Sequence, residues 1–393
     1  MAFGRLPISV QFMLKPLLKQ GGRYGWLSLL LWLILVAPAA AMELRVAIEE
    51  GLKQVKVGSS TKAIVRDAAG QPVGELAAMN GYDIKGGESS VSLGQWNSQS
   101  LWIEPTDEGF VWIDDRWYRG RTQVVPTSKG LTAVNHVDLE EYLYSVLGAE
   151  MSANWPLEAL KAQAVAARTY ALYKSATGGN SVYDVGDTTT WQVYKGLESE
   201  AETTRTAVRE TAGQVMTYNG QVILAVFHAA SGGHTENVED IWSNPLPYLR
   251  GVVDYDQEAP VFQWTKSFSR SQLSKRISGV GNVISLTPEG RTPQGRIVTM
   301  VVKGDRGTRR IKGSDFRMAL GLRSTLFEVN STSNGFEFQG RGYGHGLGLS
   351  QWGARGLATQ GIKYHQILSH YYPNAILAQL PPSPETGAVS RQP

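Results

Sequence analysis

Glu150 is the acid whose surroundings best suit chemistry. Its neighbours Leu147, Gly148, Ala149, Met151, Ala153 and Trp155 are apolar or small, and the closest basic residue in sequence is Lys161. A carboxyl group in apolar company keeps its proton to higher pH than usual, as a general acid working near neutrality requires. Cleavage of a glycosidic bond needs its leaving oxygen protonated. If a substrate hydroxyl then completes the reaction by intramolecular attack, a single carboxyl group serves first as acid and later as base. From spacing alone, a glutamate between two helices is more often a cap or a solvated residue.

Two further constellations carry reactive side chains. His228 and His234 stand in FHAASGGHTENVED, with Glu236 and Glu239 close behind. Two imidazoles and a carboxylate form an acceptable zinc set; the alternative is a pair of turn histidines with local hydrogen bonds. The segment YGHGLGLSQW, from Tyr343 to Trp352, lacks the lysine of a phosphate loop and the spacing of a dinucleotide fold. Its glycines suit close backbone approach, with His345, Gln351 and Trp352 as polar and stacking surfaces, or else a tightly packed turn. Trp96, Trp102, Trp112, Trp117, Trp155, Trp191 and Trp352 supply ring faces of the kind that pack on sugars. Lys303, Arg306, Arg309, Arg310 and Lys312 read as a solvated basic hairpin.

The elements that must position these groups follow from periodicity. From Leu44 to about Val125, short alternating runs separated by glycine turns predict a β-rich lobe. Asp138, with Glu141 three residues on, predicts a capped helix whose apolar face is Leu139, Tyr142, Leu143, Val146 and Leu147, ending at Gly148. A second helix is expected from about Asn154, with Pro156 in its first turn, so that Glu150 and Met151 fall in the connection. Asn219-Gly220 predicts a hairpin between 214–218 and 221–227. Ile297–Val302 reads as a strand, Asp315–Leu320 and Tyr364–Tyr371 as helices, and no internal repeat is evident.

Composition sets outer bounds. The 393 residues are 42% hydrophobic and 19% charged, an ordinary globular balance that excludes a coiled coil or an acidic disordered chain. Four basic and no acidic residues precede Ala41; beyond it, 34 Lys and Arg face 35 Asp and Glu. A nearly neutral body gives no reason to expect nucleic-acid binding. The order of a basic stretch, the apolar run Trp26–Ala37 and small residues to Ala41 is that of an export leader, or of an uncleaved anchor. The body is therefore expected in the periplasm or cell envelope, touching membrane only through that segment. The chain has no cysteine, which excludes disulfides, thiolate metal sites and a cysteine nucleophile.

The run from Val137 to Tyr173, VDLEEYLYSVLGAEMSANWPLEALKAQAVAARTYALY, resembles the SpoIID/LytB family: stage II sporulation protein D and the amidase enhancers of bacterial envelopes. QVYKG at 192–196, AVFHAASGGHT at 225–235, FRMALGLRSTLFEV at 316–329 and GRGYGHGLGLSQWGARGLA at 340–358 extend the resemblance over most of the body. It implies an α+β fold with a β-rich lobe and a central helix pair. The expected divisions are a leader to 41, the lobe at 42–125, the family core at 126–378 and a tail from 379. The implied activity is lytic transglycosylation, cutting peptidoglycan between N-acetylmuramic acid and N-acetylglucosamine, in denuded strands by preference, to leave 1,6-anhydro ends. Glu150 falls on the family's acid/base. Trp155, Gln192, Tyr194, Tyr343, His345, Gln351 and Trp352 are candidates for holding the glycan. No cofactor is required. The zinc of some relatives implies a structural metal at His228, with His234 and Glu236 or Glu239 completing the set, although the cysteines of those relatives have no counterpart. The alternative is a non-catalytic wall-binding protein that stimulates an N-acetylmuramoyl-L-alanine amidase.

Overall fold

The structure, a computed structural model, describes residues 42–87, 89–242 and 244–380; the expected leader lies outside them, as does the tail beyond 380. The chain is a mixed α+β fold. Its first part is built from β1 (Glu43–Leu52), β2 (Gln54–Ser59), β3 (Ala63–Arg66), β4 (Pro72–Leu76), β5 (Gly81–Gly86), β6 (Val91–Leu93), β7 (Trp96–Ser98), β8 (Leu101–Pro105), β9 (Val111–Ile113), β10 (Arg116–Tyr118), β11 (Arg121–Thr127) and β12 (Gly130–Asp138). Alternation decides which face is inside: Val55, Val57, Val91, Leu93, Val111, Ile113 and Val124 are buried while the residues between most of them reach outward. The strands form two sheets, of order β13-β1-β12-β11-β8-β3-β4 and β10-β9-β2-β5-β6-β7, where β13 is Val185–Gly186.

The hairpins β6–β7 and β9–β10 occupy opposite edges of the second sheet. Each turns through a residue with positive φ, Gly94 at 57° and Asp114 at 52°.

Helix α1 (Leu139–Glu150) starts directly from β12, with the Asp138 carboxylate accepting from the amides of Glu140 and Glu141. The helix does not stop at Gly148 but runs two residues further, and glycine is there for contact: a Cβ at 148 would lie 1.8 Å from the carbonyl oxygen of Ser199. Helix α2 (Leu157–Gly178) begins after Pro156 without a side-chain cap and packs against α1. Its alanines at 162, 164, 166, 167 and 171 are buried, and so is Arg168, which forks onto Glu140 at 2.7 and 2.6 Å and donates to the carbonyl of Gln214 at 3.0 Å.

A second layer closes over these helices: α3 (Glu202–Arg209), the β14 (Gln214–Tyr218) and β15 (Gln221–Val222) hairpin, β16 (Phe227–His228) and the short α4 (Val238–Ile241). Asn219 and Gly220 both have positive φ, 50° and 75°, as the hairpin turn demands.

A module with its own apolar core is then inserted. It holds β17 (Gln263–Ser269), α5 (Arg270–Arg276), β18 (Val283–Arg291), β19 (Ile297–Gly304), β20 (Gly307–Lys312), α6 (Gly313–Leu320), β21 (Phe327–Ser331) and β22 (Gly335–Arg341). Gln263 pairs with Arg341, so the module is opened and closed by one antiparallel ladder. The chain returns through β23 (Leu349–Ser350), which pairs in parallel with β16, then α7 (Gln351–Thr359), α8 (Tyr364–Tyr371) and β24 (Ile376–Gln379) on the edge of β14. One continuous core runs from Leu44 in the first sheet to Tyr372. Among the described residues no helix is long and apolar enough to cross a membrane.

Candidate active site

Glu150 is the last residue of α1, where the helix leaves its carbonyls pointing outward and a negative charge is least welcome. Its carboxylate is held at both oxygens. The backbone N–H of Val193 donates to Oε1 at 3.0 Å and Gln351 Nε2 donates to Oε2 at 3.1 Å. Burial pushes the carboxyl pKa above the ordinary glutamate value, opposed by these two hydrogen bonds, and no cation contributes. The group is thus a desolvated acid positioned without an ion pair, the arrangement that favours the protonated form.

Three stretches far apart in sequence converge on it. Gln351 is only 5% exposed and opens α7, whose Ser350 cap accepts from the amide of Gly353 at 3.2 Å. Gly353 must lack a side chain, since a Cβ would meet Asp254 Oδ1 at 1.8 Å. Val193 comes from the 192–196 segment. The phenols of Tyr142 and Tyr170 are near enough to sense the carboxylate; burial first and Glu150 second push that of Tyr170 up to about 12. Trp155 and Trp352, both half-buried, meet edge to face at 4.8 Å, with the Arg355 guanidinium 5.0 Å from the Trp352 ring.

Gln192 and Tyr194 are not surface groups for a ligand. Gln192 is buried, accepting from Tyr142 Oη at 3.2 Å and donating to the carbonyl of Ala167 at 3.2 Å. Tyr194 is buried between Tyr118 and Tyr142 and donates to Asn135 Oδ1 at 2.8 Å. Both fix the segment that presents the Val193 amide to Glu150, so the role of QVYKG lies in its backbone.

The histidines assort differently from their order in the sequence. His228 pairs with Ser350 on β23, and its ring lies 5.1 Å from that of His345 rather than beside His234. Its Nδ1 is 3.0 Å from the carbonyl of Leu347, and its buried Nε2 has no partner among the described residues. Burial pushes the His228 pKa well below the usual imidazole value and that of His345 down to about 3, which favours the neutral form of each ring. His345 Nδ1 accepts from the amide of Leu347 at 3.0 Å, and Trp242 lies 5.5 Å from its ring. Tyr343 is 46% exposed.

The zinc set of His228, His234, Glu236 and Glu239 is not assembled. Gly232 and Gly233, at φ of 86° and 107°, turn the chain so that His234 bridges to Val253, with Nδ1 2.6 Å from the carbonyl of Thr235. Glu236 is buried, accepting from Thr292 Oγ1 at 2.5 Å and standing 3.7 Å from the Arg296 guanidinium. Glu239 is ion-paired with Arg250. Among the described residues no group of three or more His, Asp or Glu side chains could hold a metal ion.

The first family model that matches is "Stage II sporulation protein", over residues 127–218, a span that contains α1, α2 and Glu150. A domain of unknown function matches residues 249–348, which include the inserted module. An uncharacterised protein of Brachyspira hyodysenteriae is 35% identical over 277 residues, covering 68% of this chain and 73% of that one. "Stage II sporulation protein D" of Bacillus subtilis is 35% identical over 260 residues, covering 61% and 74%. "Amidase enhancer" of Bacillus subtilis is 34% identical over 290 residues, covering 60% of this chain and 40% of that one.

Proposed function

The chain belongs to the stage II sporulation protein D and amidase-enhancer family, and on that premise we propose that it acts outside the cytoplasmic membrane on peptidoglycan glycan strands, as a lytic transglycosylase. The observation that carries the reading is Glu150, a desolvated carboxyl group with a donor on each oxygen and no cation beside it. In its protonated form Glu150 gives its proton to the oxygen leaving C1 of N-acetylmuramic acid, and the C1–O bond breaks with oxocarbenium character at C1. The C6 hydroxyl of the same sugar attacks C1, and its proton passes to the Glu150 carboxylate. The products are a 1,6-anhydro end and a free N-acetylglucosamine hydroxyl, with Glu150 again protonated. The Val193 amide and Gln351 stabilise the carboxylate midway. Trp155 and Trp352 offer stacking surface for the sugars.

The second reading is a non-catalytic enhancer of an N-acetylmuramoyl-L-alanine amidase, and the name of the 34%-identical Bacillus subtilis relative supports it more directly than it supports cutting. Denuded strands incubated with the protein and no amidase separate the two. Soluble fragments with anhydro ends are expected. If strands stay intact while intact peptidoglycan plus an amidase is digested faster in the protein's presence, the enhancer reading replaces the first.

A further inference from the structure

The inserted module from Gln263 to Arg341 is electrically unlike the rest of the chain. It holds 14 Lys and Arg against 5 Asp and Glu, whereas the remainder beyond residue 41 holds 20 against 30. Ion pairing neutralises little of this excess. Among the described residues, only Arg291, Arg296 and Arg310 of the module have a carboxylate within 4.0 Å. Others are held by backbone carbonyls instead, as Lys266 is by Leu320 and Gly321 at 3.1 and 2.8 Å, which fixes a cation without cancelling its charge.

Part of this charge stands where the module meets the candidate site. Arg317 Nε donates to the carbonyls of Leu322 and Arg323 at 3.2 and 3.1 Å, and the Arg323 carbonyl also accepts from the amide of Gly344 at 2.9 Å. Ser324 Oγ donates to the carbonyl of Arg341 at 2.6 Å. Arg323 and Arg341, both exposed, are therefore tied to the segment that carries Tyr343 and His345. Beside His345 lies Trp242, 48% exposed. The same segment continues to His345, packed on His228, and then to Gln351, which holds Glu150.

We propose that Arg323 and Arg341, with the ring faces of Tyr343 and Trp242, form a further subsite for an anionic glycan, in which the guanidinium groups take the carboxylates that recur along the strand. The inference deepens the proposed function and rests on its substrate. In a denuded strand every muramic residue carries one lactyl carboxylate, so the polymer is regularly anionic. The acidic remainder of the protein repels it and the module draws it in. Aromatic faces pack on the sugar rings between the carboxylates. Planar guanidinium groups suit bidentate carboxylate contact.

The experiment measures binding of denuded strands, of strands still bearing stem peptides, and of chitooligosaccharides of equal length, which lack the lactyl group, at several salt concentrations. The wild type is compared with Arg323→Gln/Arg341→Gln, with thermal unfolding as the check that the variant is folded. The wild type is expected to prefer denuded strands over chitooligosaccharides, with a preference that shrinks as salt rises. The variant is expected to lose about fivefold to tenfold on strands, the size of two exposed ion pairs, and little on chitooligosaccharides. Equal wild-type affinity for strands and chitooligosaccharides overturns the inference, as does a variant that keeps the full preference. Tighter binding only of peptide-bearing strands overturns the lactyl assignment in favour of stem carboxylates. If the preference and its loss are seen while no anhydro ends form, the subsite stands and the cutting reading falls.

Discussion

Replacing Gln351 by alanine removes one of the two donors that hold Glu150 in its charged form, at 3.1 Å from Oε2. The fold should tolerate the change: position 351 opens α7, where alanine is a strong helix former, and the Ser350 cap does not involve the Gln351 side chain. A hydrogen bond to a charged group contributes about 1.5–3 kcal/mol. At about 1.4 kcal/mol per decade, losing it raises the pKa of Glu150 by about one to two pH units. The sign follows from which form the bond favours. Gln351 donates to the carboxylate, so its loss favours the acid, and the pH at which a general acid loses its proton moves up. The same bond stabilises the carboxylate formed midway through the reaction, so the plateau rate should fall by about tenfold or more. The assay is the initial rate of anhydro-end formation on denuded strands from pH 4 to 9, compared with wild type. An alkaline limb that stays in place, or moves down, refutes the claim that Gln351 is bonded to the titrating acid.

Other consequences test the scaffold. Glu140→Ala strips the buried Arg168 of its carboxylate, leaving only backbone carbonyls; a loss of about 3 kcal/mol is expected, read by denaturant unfolding, and Glu140→Gln should cost less. Asp256, whose pKa burial and then the adjacent Asp254 raise to about 6, gives a stability term with a definite sign. The folded state binds the extra proton between the unfolded value near 4 and about 6. Stability should therefore decline as pH rises through that window, and Asp256→Asn should flatten the decline in thermal melts. An unchanged slope in the variant would count against this buried acid pair.

The fold was legible where local rules act alone. Asp138 capped α1, Asn219-Gly220 turned its hairpin although the return strand stops at Val222 instead of reaching 227, and α8 spans Tyr364–Tyr371 as expected. Gly148 misled because glycine marks both helix ends and close contacts, and only the fold reveals Ser199 against it. Gln192 and Tyr194 misled for a related reason: a polar residue in a recognisable motif can be spent inside the core, and here it serves a backbone amide. The zinc set is not gathered because His234 bridges to Val253 while Glu236 and Glu239 are taken by Thr292 and Arg250, pairings that composition does not encode. Glu150 and Gln351, 201 residues apart, were each singled out in the sequence, but their bond depends on β16 and β23 lying side by side. The module's charge was visible as a basic hairpin; its meaning needed the boundary at Gln263 and Arg341.

Whether Glu150 is the acid that cuts is read by mass spectrometry of denuded strands after incubation with the wild type and with Glu150→Gln. The glutamine keeps an acceptor for the Val193 amide, and Gln351 can turn its amide so that its oxygen accepts from the new NH2, so the variant should stay folded, with thermal unfolding as the check. 1,6-Anhydromuramic ends are expected from the wild type and none from the folded variant. Anhydro ends formed equally well by Glu150→Gln would contradict that role of Glu150.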